Sequence, residues 1–356
     1  MIDKLKKAEQ RFEKIEESLA DPEIFTRQEE FTALMKERKN LLPVIEKFRE
    51  YKTAEKARDD AKELRDDSSV ESELREMAAE EFDAESENCT RLLDELKILL
   101  LPRDPNDDKN VIVEIRQGAG GEEAALFAAV LYRMYTMYAA AAGFKTELMN
   151  ANETELGGYK EVSFMVEGEG AYSRLKFESG VHRVQRVPET EAQGRIQTST
   201  ATVAVLPEAE DVEIEINPAD LKVETCKSSG AGGQHINKTE SAVRLTHKPT
   251  GIVVECQEER SQFKNKDKAL KMLRAILYDR ASREQSDAIA SDRRQQVGTG
   301  DRSERIRTYN YRENRVSDHR IGLTLYSLDS FLDGDIDGMI DALATAHTAK
   351  KLKQQS

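Results

Sequence analysis

Seven residues, Pro102-Arg103-Asp104-Pro105-Asn106-Asp107-Asp108, divide the 356-residue chain into two textures that one continuous core cannot serve. Before them, apolar residues recur at helical spacing. Leu5, Phe12, Ile15 and Leu19 follow a seven-residue pattern, and Phe31, Leu34, Leu41, Ile45 and Phe48 continue it. Asp21-Pro22 breaks the first helix from the second, and Asp66-Asp67-Ser68-Ser69 breaks the second from a third. The third closes on Leu92, Leu93, Leu96 and Leu99. Amphipathic helices must bury their stripes on one another, so residues 1–103 are expected to form a helical bundle or long hairpin.

Beyond the break the period changes. Val111–Ile115 reads as a strand, Gly118-Ala119-Gly120-Gly121 as a turn, and Glu122 to Ala142 as an alanine-rich helix. Strands are expected at 144–148, 162–166, 198–206 and 212–216. A smaller unit begins near Leu221: a strand, a glycine-rich loop, and a hairpin of Ala242–His247 with Gly251–Cys256. A basic helix then runs from about Gln262 to Ala288, carrying Lys264, Lys266, Lys268, Lys271 and Arg274. Polar, Gly- and Arg-rich residues 291–315 read as a mobile connector. Strands at 305–309 and 323–326 and a final helix from Gly338 could return to the middle of the chain. The expected class is α+β multidomain, with segments 1–103, 104–220 plus 300–356, and 221–299.

Charge is distributed as unevenly as texture. The net charge is −14, which taken whole argues against a nucleic-acid partner. Yet residues 1–110 hold 21 basic against 31 acidic side chains, whereas residues 222–320 hold 21 against 14. Only the back of the chain is suited to phosphates. No apolar run approaches the roughly 20 residues of a membrane span, and the first residues show no signal-peptide stretch, so a cytoplasmic location is expected and no membrane partner. Cys89, Cys226 and Cys256 form no Cys-x-x-Cys pair, and His182, His235, His247, His319 and His347 show no ligand spacing. Neither a metal nor a cofactor is expected.

Two loops share Gly-Ala-Gly-Gly, at 118–121 and 230–233. The first opens a helix, as phosphate loops do, but Glu122 and Glu123 fill the first turn and would repel a phosphate. Helix capping explains it as well as a ligand does. The second, Ser228-Ser229-Gly230-Ala231-Gly232-Gly233-Gln234-His235, is flanked by strands, so its backbone freedom suits a tip that approaches another molecule. Gln234 is no base, and no nucleophile–base pair stands nearby. What the loop can offer is backbone N–H donors to developing oxyanion charge, worth about 3–4 kcal/mol each in favourable sites.

The run Gly230-Ala-Gly-Gly-Gln-His-Ile-Asn-Lys-Thr-Glu-Ser-Ala-Val-Arg-Leu-Thr-His247 resembles the catalytic-loop signature of bacterial class-I peptide-chain release factors. Arg116 to Phe127, His182 to Pro207 and Asp301 to Leu323 are similar to further blocks of that family, so the likeness covers nearly the whole chain. It implies a central codon-reading domain and a small domain that carries Gly232, Gly233 and Gln234 into the ribosomal peptidyl-transferase centre, where the Gln234 backbone N–H aids hydrolysis of peptidyl-tRNA. Such a protein is no stand-alone enzyme. The family's glutamine is often methylated, so a methylated Gln234, a glutamine methyltransferase and a recycling GTPase are implied partners beside ribosomal RNA and mRNA.

Family members that read UAA and UAG carry Pro-x-Thr, which Val187-Pro188-Glu189-Thr190-Glu191 matches. A threonine hydroxyl donates and accepts, so it can meet uracil or adenine edges. The resemblance further assigns Gln185 and Thr198 to the third base, and Gly120 and Glu123 to the first. Two positions depart from it: Gln197 replaces a histidine that stacks on a codon base, and Arg312 a proline after Tyr309-Asn310-Tyr311. Two rival readings stand beside this one. A codon-independent ribosome-rescue hydrolase would use the same loop but usually lacks the middle domain. An acidic helical scaffold with an RNA-binding tail leaves the glycine-rich loop unexplained.

Overall fold

The computed structural model describes residues 1–67, 69, 71–101, 104–188, 191, 193–209, 214, 216–227 and 240–355. The chain divides into two compact units, Met1–Asp104 with Asp341–Ser356, and Pro105–Ile340. The last residues, expected with the central segment, therefore cluster with the first hundred.

The first unit is built on α1 (Ile2–Leu19), α2 (Gln28–Asp66) and α3 (Ser72–Leu99). Asp21 caps the 3-10 turn Pro22–Thr26 that separates α1 from α2, its carboxylate accepting from Glu23 N–H at 3.0 Å. The seven-residue pattern does what amphipathicity requires: Leu5 joins Val44, Phe48, Tyr51, Ala54, Cys89, Leu92 and Leu96 in one core. The stripe of α2 is buried from Val44 onward, while Phe31 and Leu34 stay partly exposed.

The second unit holds two sheets. In the larger, β1 (Val111–Gln117), β2 (Lys145–Glu153), β3 (Tyr159–Glu167), β4 (Gly180–Arg186) and β5 (Gln197–Pro207) are joined later by β9 (Arg305–Asn310), β10 (Arg315–Asp318) and β11 (Leu323–Leu325). The order is β11-β10-β9-β4-β5-β1-β3-β2. Among the described strands β4–β9 is the parallel pair; the others are antiparallel. Helix α4 (Glu122–Ala141) lays Ala124, Ala125, Phe127, Ala128, Leu131, Met134 and Tyr135 in the core. It is long and apolar enough to cross a membrane, contrary to the reading that no run came close. Its apolar face is committed to packing within the unit.

The smaller sheet runs β6 (Leu221–Cys226), β7 (Ala242–His247), β8 (Ile252–Cys256). After α5 (Ala171–Leu175) in the first half of this unit, α6 (Gln262–Val297) covers the small sheet, packing Ala269, Leu273 and Leu277 on Val243, Leu245, Val254 and Cys256. Its far end reaches the large sheet. The Gln296 side chain accepts from Val205 N–H at 2.8 Å and donates to Val205 C=O at 2.9 Å, supplying the pairing that β4 does not extend far enough to give. Arg293 meets Glu114 at 2.5 Å. These tertiary bonds explain why α6 continues to Val297 rather than stopping near Ala288. They also correct the expected connector at 291–315, which is the end of α6, a 3-10 turn at Arg302–Glu304, and β9 within the sheet. Strands β4 and β10, with mixed polar sequences, were not anticipated. The expected strand at 212–216 lies largely outside the described residues. Two helices, α7 (Leu328–Leu332) and α8 (Asp337–Gln355), end the chain.

Where β9 joins β4, a polar cluster is closed off from solvent. Arg307 is 0% exposed; it donates to both oxygens of Glu178 at 2.6 and 2.7 Å and to Asp318 at 3.2 Å. Tyr135 adds a bond to Glu178 at 2.9 Å. His182 Nε2 lies 2.8 Å from the Glu178 carbonyl oxygen, which only accepts. The proton therefore sits on Nε2, and Nδ1 accepts from the Tyr309 hydroxyl at 3.0 Å. Burial, then the nearby Arg307 charge, pushes the His182 pKa from 6.5 to about 4. Burial raises Glu178, but Arg307 outweighs it and the net shift is downward.

As pH falls, His182 in the unfolded chain takes up a proton first, so its contribution is complete above about pH 6.5 and is lost towards pH 4. The full loss is roughly 3 kcal/mol. Denaturant unfolding between pH 7.5 and 4.5 should show this slope, and His182→Gln should flatten it. An unchanged slope in the variant would assign the titration elsewhere.

Candidate codon-reading surface and tip

The loop 118–121 is bolted onto β5. Gly118 N–H donates to Thr200 C=O at 2.8 Å, Thr200 N–H to Ala119 C=O at 2.9 Å, and Ala119 N–H to the Thr200 hydroxyl at 2.8 Å. Gly120 has φ +139°, and a Cβ there would stand 2.4 Å from Ser199 Oγ and 3.1 Å from its Cα. Gly121, at φ 62°, starts α4, and its carbonyl accepts from Ala124 N–H at 3.0 Å. The glycines are therefore required by a close approach and a left-handed backbone.

Around this tip the structure assembles residues distant in sequence. In the β4–β5 register, Gln185 faces Thr198 and Arg186 faces Gln197. Gln185 also pairs with Asn310 of β9, and its carbonyl accepts from Tyr311 N–H at 3.1 Å. Gln185 and Thr198 are half-buried, and Gln197 is exposed. Pro188 is buried, with its carbonyl accepting from Glu191 N–H at 3.1 Å. Glu189 and Thr190 lie outside the described residues. The Gln197 side-chain amide donates to Glu191 at 2.9 Å. In place of a stacking ring, this position carries an anchored amide.

Glu123 differs from the expectation in one respect. Its carboxylate is turned inward, 3% exposed, and accepts from Arg186 Nε at 2.6 Å. The Glu123 carboxylate is therefore not presented to solvent at the helix tip. The Arg186 guanidinium also lies over the Tyr311 ring at 5.3 Å. Burial opposes its charge, but the bond to Glu123 outweighs this and its pKa is raised. Arg186, Ser199 and Tyr311 were not singled out from the sequence. The partners in the Arg186–Glu123 bond are 63 positions apart, with no local signal joining them. Arg312 is exposed in the turn between β9 and β10.

Gly232, Gly233, Gln234 and His235 lie outside the described residues, but the base of their loop is described. Cys226 at the end of β6 is paired with Ala242 at the start of β7. Asn265, 0% exposed on α6, braces that base: its amide donates to Ser241 C=O at 2.7 Å and Glu259 C=O at 2.8 Å, and its oxygen accepts from Glu259 N–H at 2.9 Å. On the basic helix, Lys268 is paired with Glu258 and Glu259 at 3.0 and 2.9 Å, so its charge is already partnered. Among the described residues no group of His, Cys, Asp or Glu has the arrangement to hold a metal.

Gly120→Ala should cost about 1–3 kcal/mol through the clash with Ser199 and the unfavourable φ. Thermal melting measures it. Ser199→Gly in the same chain should recover only the steric part; complete recovery would show that backbone conformation contributes nothing.

The PCRF domain family model matches residues 8–203, and the RF-1 domain family model matches residues 210–320. Peptide chain release factor 1 of Caldicellulosiruptor saccharolyticus is 59% identical over 354 residues, covering 99% of each chain. The proteins of the same name from Clostridium novyi and Clostridioides difficile are 57% and 58% identical, each over 99% of both chains. Among solved structures, RF2 of Thermus thermophilus matches at 34% identity and a TM-score of 0.49, covering 95% of each chain. Models spanning most of the chain and full-length identity near 58% leave one assignment: this chain belongs to the peptide chain release factor family, the proteins that end translation at a stop codon.

Proposed function

We propose that the chain reads UAA and UAG in the ribosomal A site and promotes hydrolysis of peptidyl-tRNA in the peptidyl-transferase centre. The observation that carries this reading is the convergence of Gly120, Glu123, Gln185, Pro188, Gln197 and Thr198 at one end of the large sheet. The Thr190 hydroxyl would meet the second base, and Gln185 and Thr198 the third. The Gly120–Glu123 backbone would restrict the first base to uracil. Residues 104–220 with 300–356 form the reading segment in this account, although Asp341–Ser356 cluster with the helical unit. Residues 221–299 carry the tip.

The tip supplies half of an active site. Gly232 and Gly233 would let the backbone enter a confined RNA centre, and Gln234 would present its N–H to the charge that develops as the ester bond opens. No base or nucleophile belongs to the tripeptide, so water activation and substrate placement fall to the ribosome, and free peptidyl-tRNA should not be hydrolysed. Methylation of Gln234 by a glutamine methyltransferase, recycling by a GTPase, and a cytoplasmic setting complete the proposal. A codon-independent rescue hydrolase fits less well, because it has no use for a reading surface.

Peptide release from ribosomes displaying UAA, UAG, UGA or a sense codon decides between them. Release on UAA and UAG alone is expected; release on every codon would establish rescue, and none would refute both. Gly233→Ala should lower the rate of release about 100-fold or more while ribosome binding stays near normal. A matching loss of binding would make the tip an anchor.

A further inference from the structure

The bond between Arg186 and Glu123 joins two parts of the reading surface that the chain itself keeps far apart. Glu123 sits in the first turn of α4, next to the tip that would meet the first base. Arg186 ends β4, directly after Gln185 and two residues before Pro188. Its Nε–Oε1 distance of 2.6 Å, with side-chain exposures of 15% and 3%, describes a sheltered charge pair. The other carboxylate oxygen of Glu123 is buried with no hydrogen-bond partner. Arg186 is thus the group that balances this anion. The guanidinium is further confined by the Tyr311 ring, and Tyr311 N–H is bonded to Gln185 C=O at 3.1 Å. A side chain committed this way is not available to a phosphate.

We propose that Arg186 is a positioning residue for codon specificity: by holding Glu123 and resting on Tyr311, it sets the spacing between the helix tip and the end of β4. The inference rests on the codon-reading role proposed above. Without Arg186 the Glu123 carboxylate would be buried without a counter-charge, which costs enough that the first turn of α4 must move to solvate it. That movement is transmitted to Gly120, which is wedged against Ser199 and cannot absorb it locally. The first-base contact and the loop after β4 would then lose their common register. A pair with a purely structural role would instead lower stability and slow release on all codons alike.

The test compares release on UAA with release on CAA, using the full-length chain and programmed ribosomes. In Arg186→Met, the UAA-over-CAA ratio of kcat/KM should fall by about tenfold, the size of one good base contact, with the change in KM rather than kcat. Arg186→Lys, which keeps the charge without the planar stacking surface, should recover part of the ratio. Glu123→Gln should reproduce the loss, and the double variant should be no worse than either single one. Parallel losses on both codons, or multiplying effects in the double variant, would overturn the inference. If Arg186→Met does not fold, Arg186→Lys and Glu123→Gln give the same comparison. A parent chain that itself fails to prefer UAA over CAA would refute codon reading, and this is seen before any variant is measured.

Discussion

A guanidinium sealed from water holds the large sheet together. Arg307 arrives on β9 after the chain has left β5, built the small sheet and run the length of α6, about 54 Å of helix. It enters the sheet beside β4, in the parallel pairing, and its charge is taken up by Glu178 and Asp318. A pair of this kind adds little net stability over an apolar filling, yet breaking it costs about 3–5 kcal/mol. Its value is in specifying the register. A strand slipped by one residue would turn Arg307 to the other face and leave the Glu178 carboxylate buried without its cation, while Asp318 would keep Arg320 at 2.6 Å. His182, kept neutral and donating to the Glu178 carbonyl, extends the same constraint to β4.

The position of the proposed reading surface follows from that register. Gln185 stands between Thr198 and Asn310 only because β4 is held between β5 and β9. Tyr311, one residue past β9, then falls beneath the Arg186 guanidinium. A displaced β9 would remove both the neighbour of Gln185 and the platform of Arg186. The same sheet receives the end of α6 through Gln296 and Arg293, while the beginning of that helix braces the base of the glycine-rich loop through Asn265. The large sheet and the base of the glycine-rich loop are thus attached to opposite ends of one helix.

Local patterns and short motifs were readable without coordinates. The helical period of the first hundred residues, the break at Pro102–Asp108 and the strands at β1, β3 and β5 are local properties, set by side-chain spacing and turn chemistry. The turn at Gly118–Gly121 was equally legible, as glycines that open a helix. Less could be read where a polar sequence is held by distant partners. Residues 291–315 looked like a solvated connector since nothing nearby shows that Gln296 will complete β5 or that Arg307 will be fully buried.

By itself, then, the sequence determined the α+β multidomain class, the acidic helical front and the family to which its motifs point. Tertiary structure alone decided that Glu123 faces inward on Arg186, that Gln197 is tethered to Glu191, and that Arg307 anchors the parallel join. The reason is physical: spacing along a chain reports which face a side chain takes on its own element. The partner of a buried charge is chosen by desolvation, which acts only once distant strands have closed over it.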